Sequence, residues 1–217
     1  MPRCRICKDK FIVMYFNQKV CDEPLCRESF AMLVLENNRK LKKSTENKVW
    51  KKVKSELKEK NKTHSEHLNE LQKRINKIVR LIDFEQPCIS CGRFGKPQAG
   101  HYHSTSKSSS IRFHLDNIHI QDFYCNVELS SNVIGYNEGL VKIYGENYKS
   151  TVENLPAIFK LNKMSIPEVK DKITITNQII KELESERKKY NVAERVELRN
   201  KYNILIGIYL KEFKSEL

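Results

Sequence analysis

Residues 87–132 read PCISCGRFGKPQAGHYHSTSKSSSIRFHLDNIHIQDFYCNVELSSN, and the order of thiols, imidazoles and amides in this stretch decides how the chain is expected to fold. Cys88 and Cys91 form a Cys-x-x-Cys knuckle, and His101, Asn117 and the Cys125–Asn126 pair follow it. Thiols at that spacing chelate zinc, and a structural zinc site closes with four ligands. The residue three before Cys125 is Asp122, whose carboxylate can also bind zinc, so the expected set is Cys88, Cys91, Asp122 and Cys125. Between the thiols, Gln98–Tyr102 and Ile111–Leu115 have strand character, and the run Ser104–Ser110 reads as a flexible join. A helix is expected to begin near Cys125.

The same stretch holds residues suited to hydrolytic chemistry. A neutral imidazole such as His101 has the right basicity to take a proton from water near pH 7. The amide oxygen of Asn126 suits a hard cation such as Mg²⁺ or Mn²⁺. Asn117 suits a residue whose amide pins the loop behind the histidine. His103 shares a strand face with His101 if the segment stays extended; it reads as a ligand, a phosphate contact or polar surface. His119, two after Asn117, can support the site from behind, whereas His114 carries little signal.

Upstream, Cys4-x2-Cys7 and Cys21-x4-Cys26 flank a thirteen-residue insert rich in Phe, Tyr and Val. This predicts a short hairpin between two knuckles and a Cys4 zinc module, with a helix starting after Cys26. So small a module needs its metal to fold. From Glu36 to Ile82 the chain lacks Gly and Pro and repeats apolar residues at helical steps, with a break expected near Asn61–Thr63. Lys42, Lys43, Lys48, Lys51, Lys52 and Lys54 lie on the first part, either as a solvated face or as a phosphate-tracking arm. His64 and His67 read as surface residues. Downstream, helices are expected at Asn137–Tyr144, capped by Gly145, and at Ile166–Lys188 and Val192–Lys214. The apolar face of Ile173, Ile175, Ile179, Ile180 and Leu183 suits packing or dimerisation.

Composition frames these expectations. The 217 residues carry 40 Lys+Arg against 27 Asp+Glu, a net charge of +13, which suits a polyanion partner. With 39% hydrophobic and 31% charged residues, small metal-stapled modules joined by helices fit better than one large core. The reading is an α+β chain divided at 1–33 (Cys4 module), 34–84 (basic helical arm), 85–150 (central core) and 151–217 (helical region). No apolar run reaches membrane-spanning length, and the paired thiols suit a reducing cytoplasm rather than a secreted disulfide framework.

The order Cys-x-x-Cys, Gly-His, Asn, Cys-Asn resembles the ββα-metal, or HNH, nuclease core. Over most of its length the chain resembles the NinG family of lambdoid-phage recombination proteins, also called Rap. The likeness is carried by the N-terminal cysteine module and by PCISCG, AGHY, RF, NIH and CN, continuing to Tyr136 and Gly145. That resemblance implies a phage- or prophage-encoded endonuclease acting on D-loops and Holliday junctions in the host cytoplasm, with branched DNA as partner. The constellation is also similar to that of endonuclease VII of phage T4. By that similarity His101 is the base and Asn126 a ligand of the catalytic ion. The resolvase has an aspartate where this chain has Gly100, so a carboxylate must come from elsewhere, and Glu128 is the expected source. A symmetrically cut junction would suit a homodimer. A non-catalytic DNA-binding or annealing protein using the same zinc modules is the alternative.

Overall fold

The computed structural model describes residues 1–160, 163–209 and 213–217. The chain divides into two compact units, Met1–Lys62 and Thr63–Leu217.

In the first unit, the four thiols of Cys4, Cys7, Cys21 and Cys26 gather at the head of a long helix, α1 (Pro24–Lys60). Pro24 starts α1 because a proline at the first helical position loses no hydrogen bond it could have made. Cys26 therefore lies inside the first turn rather than ahead of it. The expected hairpin between Cys7 and Cys21 does not form: only an isolated bridge joins Arg3 and Lys10. Lys8 and Asn17 both take positive φ, 67° and 62°, which breaks an extended strand on either side. The apolar side chains of the insert do not alternate inward either, for Ile12 to Phe16 are all exposed between buried Phe11 and buried Val20. Along α1, Val49, Trp50, Val53 and Leu57 are exposed as well, so their helical spacing marks no packed face within this unit.

The second unit opens on α2 (His64–Ile82), whose start is fixed by a capping box. Thr63 Oγ1 accepts the Glu66 N–H, and Glu66 accepts the Thr63 N–H in return. The break between the helices falls where the sequence placed it. Leu71, Ile75, Ile78, Val79 and Ile82 form one buried stripe, packed along α5 (Ile166–Ser185). His67 lies on that stripe, four residues before Leu71, and is 2% exposed; the surface reading of this histidine is corrected, while His64 is exposed.

Two short strands, β1 (Pro97–His101) and β2 (Ile118–Asp122), pair antiparallel from Pro97↔Asp122 to His101↔Ile118. The second strand is thus later than expected: Ile111–Leu115 is spent in two 3-10 turns, Ser109–Ile111 and Leu115–Asn117, and the link between them. The helix expected at Cys125 is a single π-helical turn, Tyr124–Glu128, followed by three left-handed residues, Ser130 to Asn132. The helix proper is α3 (Val133–Tyr144), ended by Gly145 at φ 88°. Gly135 and Gly139 let α3 lie directly on the Cys-x-x-Cys knuckle, since a Cβ at either would come within 2.2 Å of the Ser90 or Ile89 carbonyl oxygen. A helix the sequence reading missed, α4 (Glu146–Ile158), follows at once. The last helix, α6 (Val192–Ile206), ends at left-handed Gly207, short of Lys214, and α5 ends at Ser185 rather than Lys188. The expected helical residues 210–212 lie outside the described residues.

The hairpin is the partition between two apolar clusters. Ala99 and Ile118 on one face join α2, α5 and α6. His119 on the other face meets Tyr136 of α3 and Tyr148 of α4, which belong to the second cluster. Buried ion pairs tie the partition in place. Asp83, the C-cap of α2, accepts the Ile120 N–H and binds Arg199 of α6 at 2.8 and 2.9 Å. Arg195 lies 3.4 Å from the same carboxylate and donates to Tyr144 Oη. No described helix is long and apolar enough to cross a membrane.

Candidate active site and metal centres

Strand alternation sorts the central residues before any side chain is considered. His101 falls on the Ala99–Ile118 face; Gly100 falls on the face of His119 and Gln121. His101 is the last residue of β1, and Tyr102 N–H, one step further in the same register, donates to the Asn117 carbonyl. Its Nε2 lies 3.0 Å from the carbonyl oxygen of Arg112. A carbonyl only accepts, so Nε2 carries the hydrogen and Nδ1 keeps its lone pair. Burial holds the His101 pKa below its usual 6.5, a shift only partly opposed by that carbonyl. The imidazole is therefore neutral at pH 7 and its Nδ1 is a base.

Asn117 does its work through the loop. Its Oδ1 accepts the His103 N–H at 2.8 Å, and its Nδ2 donates to the His103 carbonyl at 3.2 Å and to the Ile111 carbonyl at 3.4 Å. This fully buried amide ties the segment after His101 to the turn that supplies Arg112. His103 is half-buried, with Nε2 donating to the Val152 carbonyl at 3.0 Å. His119 is fully buried between two phenols, Nδ1 3.0 Å from Tyr136 Oη and Nε2 3.2 Å from Tyr148 Oη. Burial, reinforced by Arg199 and Arg195, keeps its pKa well below 6.5. It braces the hairpin and faces away from His101.

Three neighbours of this site were given no role in the sequence reading, although Tyr102 and Arg112 lie in the AGHY and RF motifs. Arg112 holds its guanidinium against Gln72 and Asn69 of α2, beside the carbonyl that orients His101. Tyr102 donates to Asn137 of α3 and Glu153 of α4, and burial pushes its pKa up to about 12. Glu153 also pairs with Lys149 at 2.9 Å, so a carboxylate stands at this end of the hairpin. The signal for it is only visible once α4 folds back over the strand.

Gly100 is packed closely by the Gln121 side chain. A Cβ there would sit 1.8 Å from Gln121 Oε1, and Gln121 Nε2 is committed to Ser90 Oγ and the Ser131 carbonyl. No side chain, acidic or otherwise, fits at residue 100 unless Gln121 moves. Asn126 and Glu128 lie past Asp122, at the opposite end of a pairing that spans roughly 13 Å from Ile118 to Asp122. Glu128 is exposed and Asn126 half-buried, and no hydrogen bond joins either side chain to His101. Among the described residues, His101 and His103 belong to no cluster of three metal-ligating side chains.

The thiols do cluster. The Sγ atoms of Cys4, Cys7, Cys21 and Cys26 lie within 4.8 Å of one another, as do those of Cys88, Cys91 and Cys125, and all seven cysteines are free of disulfides. Two cysteine sets of this kind could each hold a metal ion, consistent with zinc. At the second, burial raises the Cys125 thiol to about 11, and neighbouring thiols add to it. Cys91 goes the other way: burial would raise it, but hydrogen bonds from the Arg93 backbone and guanidinium win. Asp122 is not part of this set, which corrects the four-ligand expectation. Its Oδ1 accepts the Lys96 N–H at 2.8 Å and so fastens the end of the hairpin instead.

A helix-rich fold with one small hairpin and two cysteine clusters that could each hold a metal ion defines a thiol-rich class of protein. The chain belongs to the NinG family: the family model described as Bacteriophage Lambda NinG protein matches residues 1–201. It is 30% identical to Protein ninG of Escherichia phage 933W over 164 residues, 70% of this chain and 80% of that one. Against Protein ninG of Enterobacteria phage H19B it is 29% identical over 201 residues, covering 85% and 94%. With Protein ninG of Escherichia phage lambda it shares 34% over 95 residues, 43% of this chain and 47% of that one. No solved structure matches.

Proposed function

We propose that this NinG-family chain is a metal-dependent DNA endonuclease that cuts branched intermediates during phage recombination. The observation that carries the reading is the His101 ring, neutral, held by the Arg112 carbonyl and offering Nδ1 as a base. In the proposed reaction Nδ1 takes a proton from the water that attacks the phosphodiester, while the Arg112 guanidinium stands by as a cation for the phosphate. Asn117 positions the segment. The thiol clusters hold zinc as staples, not as reactants. The cation expected for such chemistry, Mg²⁺ or Mn²⁺, keeps several waters and takes few protein ligands beside substrate phosphate. Glu153 is a carboxylate at the His101 end of the hairpin, whereas Asn126, the holder expected from the resemblance, and Glu128 lie beyond its other end. The net charge of +13 and the exposed lysines of α1 supply sequence-independent affinity. A homodimer would match a two-fold junction.

One observation favours a second reading, a DNA-binding protein without catalysis: the space at Gly100 is filled by Gln121. Incubation with Mg²⁺ or Mn²⁺ on matched linear, forked and four-way DNA separates the two. Cleavage of the branched substrates, lowered by about 10²-fold or more in His101→Ala with affinity retained, is the expected result. Binding without cleavage by the wild type would establish the second reading.

A further inference from the structure

The second thiol cluster carries on its rim aromatic side chains that neither the staple nor the candidate active site uses. Phe94 is 74% exposed, Tyr124 50% and Phe123 39%. Single exposed aromatics are ordinary on protein surfaces, but Phe94 and Tyr124 share one recess and Phe123 adjoins Tyr124. They are interleaved with cations: Arg93 precedes Phe94, and the Lys96 ammonium lies 6.0 Å from the Phe123 ring centroid. Arg93, Phe94, Asp122 and Tyr124 together line a recess of about 420 Å³.

The patch is also held stiffly. The Cys88 N–H donates to the Arg93 carbonyl at 2.9 Å, which fixes the turn on its thiol side. The Lys96 N–H donates to Asp122 Oδ1 at 2.8 Å, and the Phe123 N–H donates to the Lys96 carbonyl at 2.9 Å. Gly95 leaves room for that carboxylate, since a Cβ there would come within 2.2 Å of it. Asp122 brings one carboxylate to the recess, set against the cations of Arg93 and Lys96. A turn pinned at both ends that presents aromatic faces to water has met its ordering cost before any ligand arrives.

We propose that this rim is a stacking site for an unpaired nucleobase, with Phe94 and Tyr124 as the platform and Arg93 and Lys96 taking the adjoining phosphates. Alternating aromatic and cationic side chains are what single-stranded nucleic acid requires, because every base has a π-face and every nucleotide a charge. The inference rests on the proposed action on branched DNA and sharpens it: the feature read is a base freed from its stack at the branch. A second copy of the chain or a peptide would use the aromatics but has no need of the cations between them.

The test uses the full zinc-loaded chain in buffer without Mg²⁺ or Mn²⁺. Probes are a single-stranded oligonucleotide, a fork with 2-aminopurine at its first unpaired position, and a blunt duplex. Phe94→Ala with Tyr124→Ala should weaken single-strand and fork binding about tenfold or more, and should abolish the change in 2-aminopurine emission. Duplex affinity should change less than about twofold, and zinc content not at all. Phe94→Trp should keep the signal. If the double variant loses zinc, Phe94→Leu, which preserves bulk without a π-face, takes its place and should show the same selective loss. Equal losses on all three DNAs, no loss, or a changed oligomeric state instead would overturn the stacking site. Wild-type protein that binds no DNA would overturn the proposed function with it.

Discussion

The two cysteine clusters are built from the same chemistry and set in opposite surroundings. Around Cys4, Cys7, Cys21 and Cys26 the buried apolar company is Phe11 and Val20, with Ile6 and Phe30 half in. Around Cys88, Cys91 and Cys125 stands a unit with two apolar clusters, a buried ion-pair network and glycine-tight contact with α3. A metal at the first therefore supplies nearly all the folding free energy its surroundings lack. At the second it trims a structure already held by packing. Spacing alone cannot distinguish these roles; the number of apolar side chains within reach can.

The sharpest way to break the comparison is to remove the first metal. Chelation, or Cys26→Ser, is expected to release the segment ahead of α1 completely, so that its amides exchange freely, while the second unit keeps its protection. Hydrogen exchange followed by mass spectrometry reads both at once, and equal deprotection of the two units would contradict the contrast. Next in size is the network that makes the second unit independent of its metal. Arg199→Met leaves the buried Asp83 carboxylate with the Ile120 N–H and, at 3.4 Å, Arg195 as its remaining partners, and should cost about 3–5 kcal/mol in urea unfolding. Cys88→Ser should cost less, about 1–3 kcal/mol for an altered buried site, and should lower bound zinc from near two per chain to near one. A Cys88→Ser variant that unfolds outright would show the second staple to be as essential as the first.

Acid offers a finer probe of the second unit. His101, His114 and His119 all titrate below 6.5 in the folded chain, chiefly through burial. The unfolded chain therefore binds protons first, and stability is present above about pH 6.5 and lost as pH falls below it. Each histidine contributes up to about 1.4 kcal/mol per pH unit in that window. His119→Gln, which removes the titration, should flatten the pH dependence measured by urea unfolding between pH 7 and 5. An unchanged slope would mean that His119 is protonated in the fold.

The smallest effect belongs to the α1 lysines. Lys51, Lys52 and Lys54 are solvated on a helix that offers no array of base-reading side chains. Neutralising the three should lower the slope of log K against log salt by up to about 0.9 for each phosphate left without its cation, equally on junction and duplex. Coincident slopes would make the arm a solvated helix only. Weakening on the junction alone would move branch recognition from the second unit to the first.

The helices were legible because their evidence is local. Thr63 with Glu66 and the Leu71–Ile82 stripe place α2 without help from the rest of the chain. The first strand was legible to within a residue; the second was not, and the reason lies in who satisfies the backbone. Ile111, Phe113 and Leu115 alternate as a strand should, and all three are buried. Yet the Phe113 N–H donates to Tyr209 Oη and the Leu115 N–H to Asn203 Oδ1, partners far along the chain that no local pattern announces. The true second strand alternates too, Ile118-His119-Ile120-Gln121, but its polar face is buried as well, His119 against Tyr136 of α3 and Gln121 against the Ser131 carbonyl. The candidate site was legible in its identities and not in its geometry. His101 and Asn117 meet through the loop, whereas Asp122, read as a ligand, is a backbone fastener. Arg112 was visible only as part of the RF motif, and Glu153 declares itself only after folding.

The hairpin between the two apolar clusters has a consequence for where motion can come from. His101 is gripped through its ring by Arg112, the Gly100 carbonyl beside it by Tyr136, and the strand opposite by Asp83. Each anchor belongs to a different part of the body, so the imidazole has no soft direction along which to swing. On the proposed function such a site cannot mould itself to a rigid helix of DNA. The compliance has to reside in the nucleic acid, and a branch point, where stacking is already interrupted, is the place along a duplex where bending is cheapest. Selectivity for branches then follows from the stiffness of the protein.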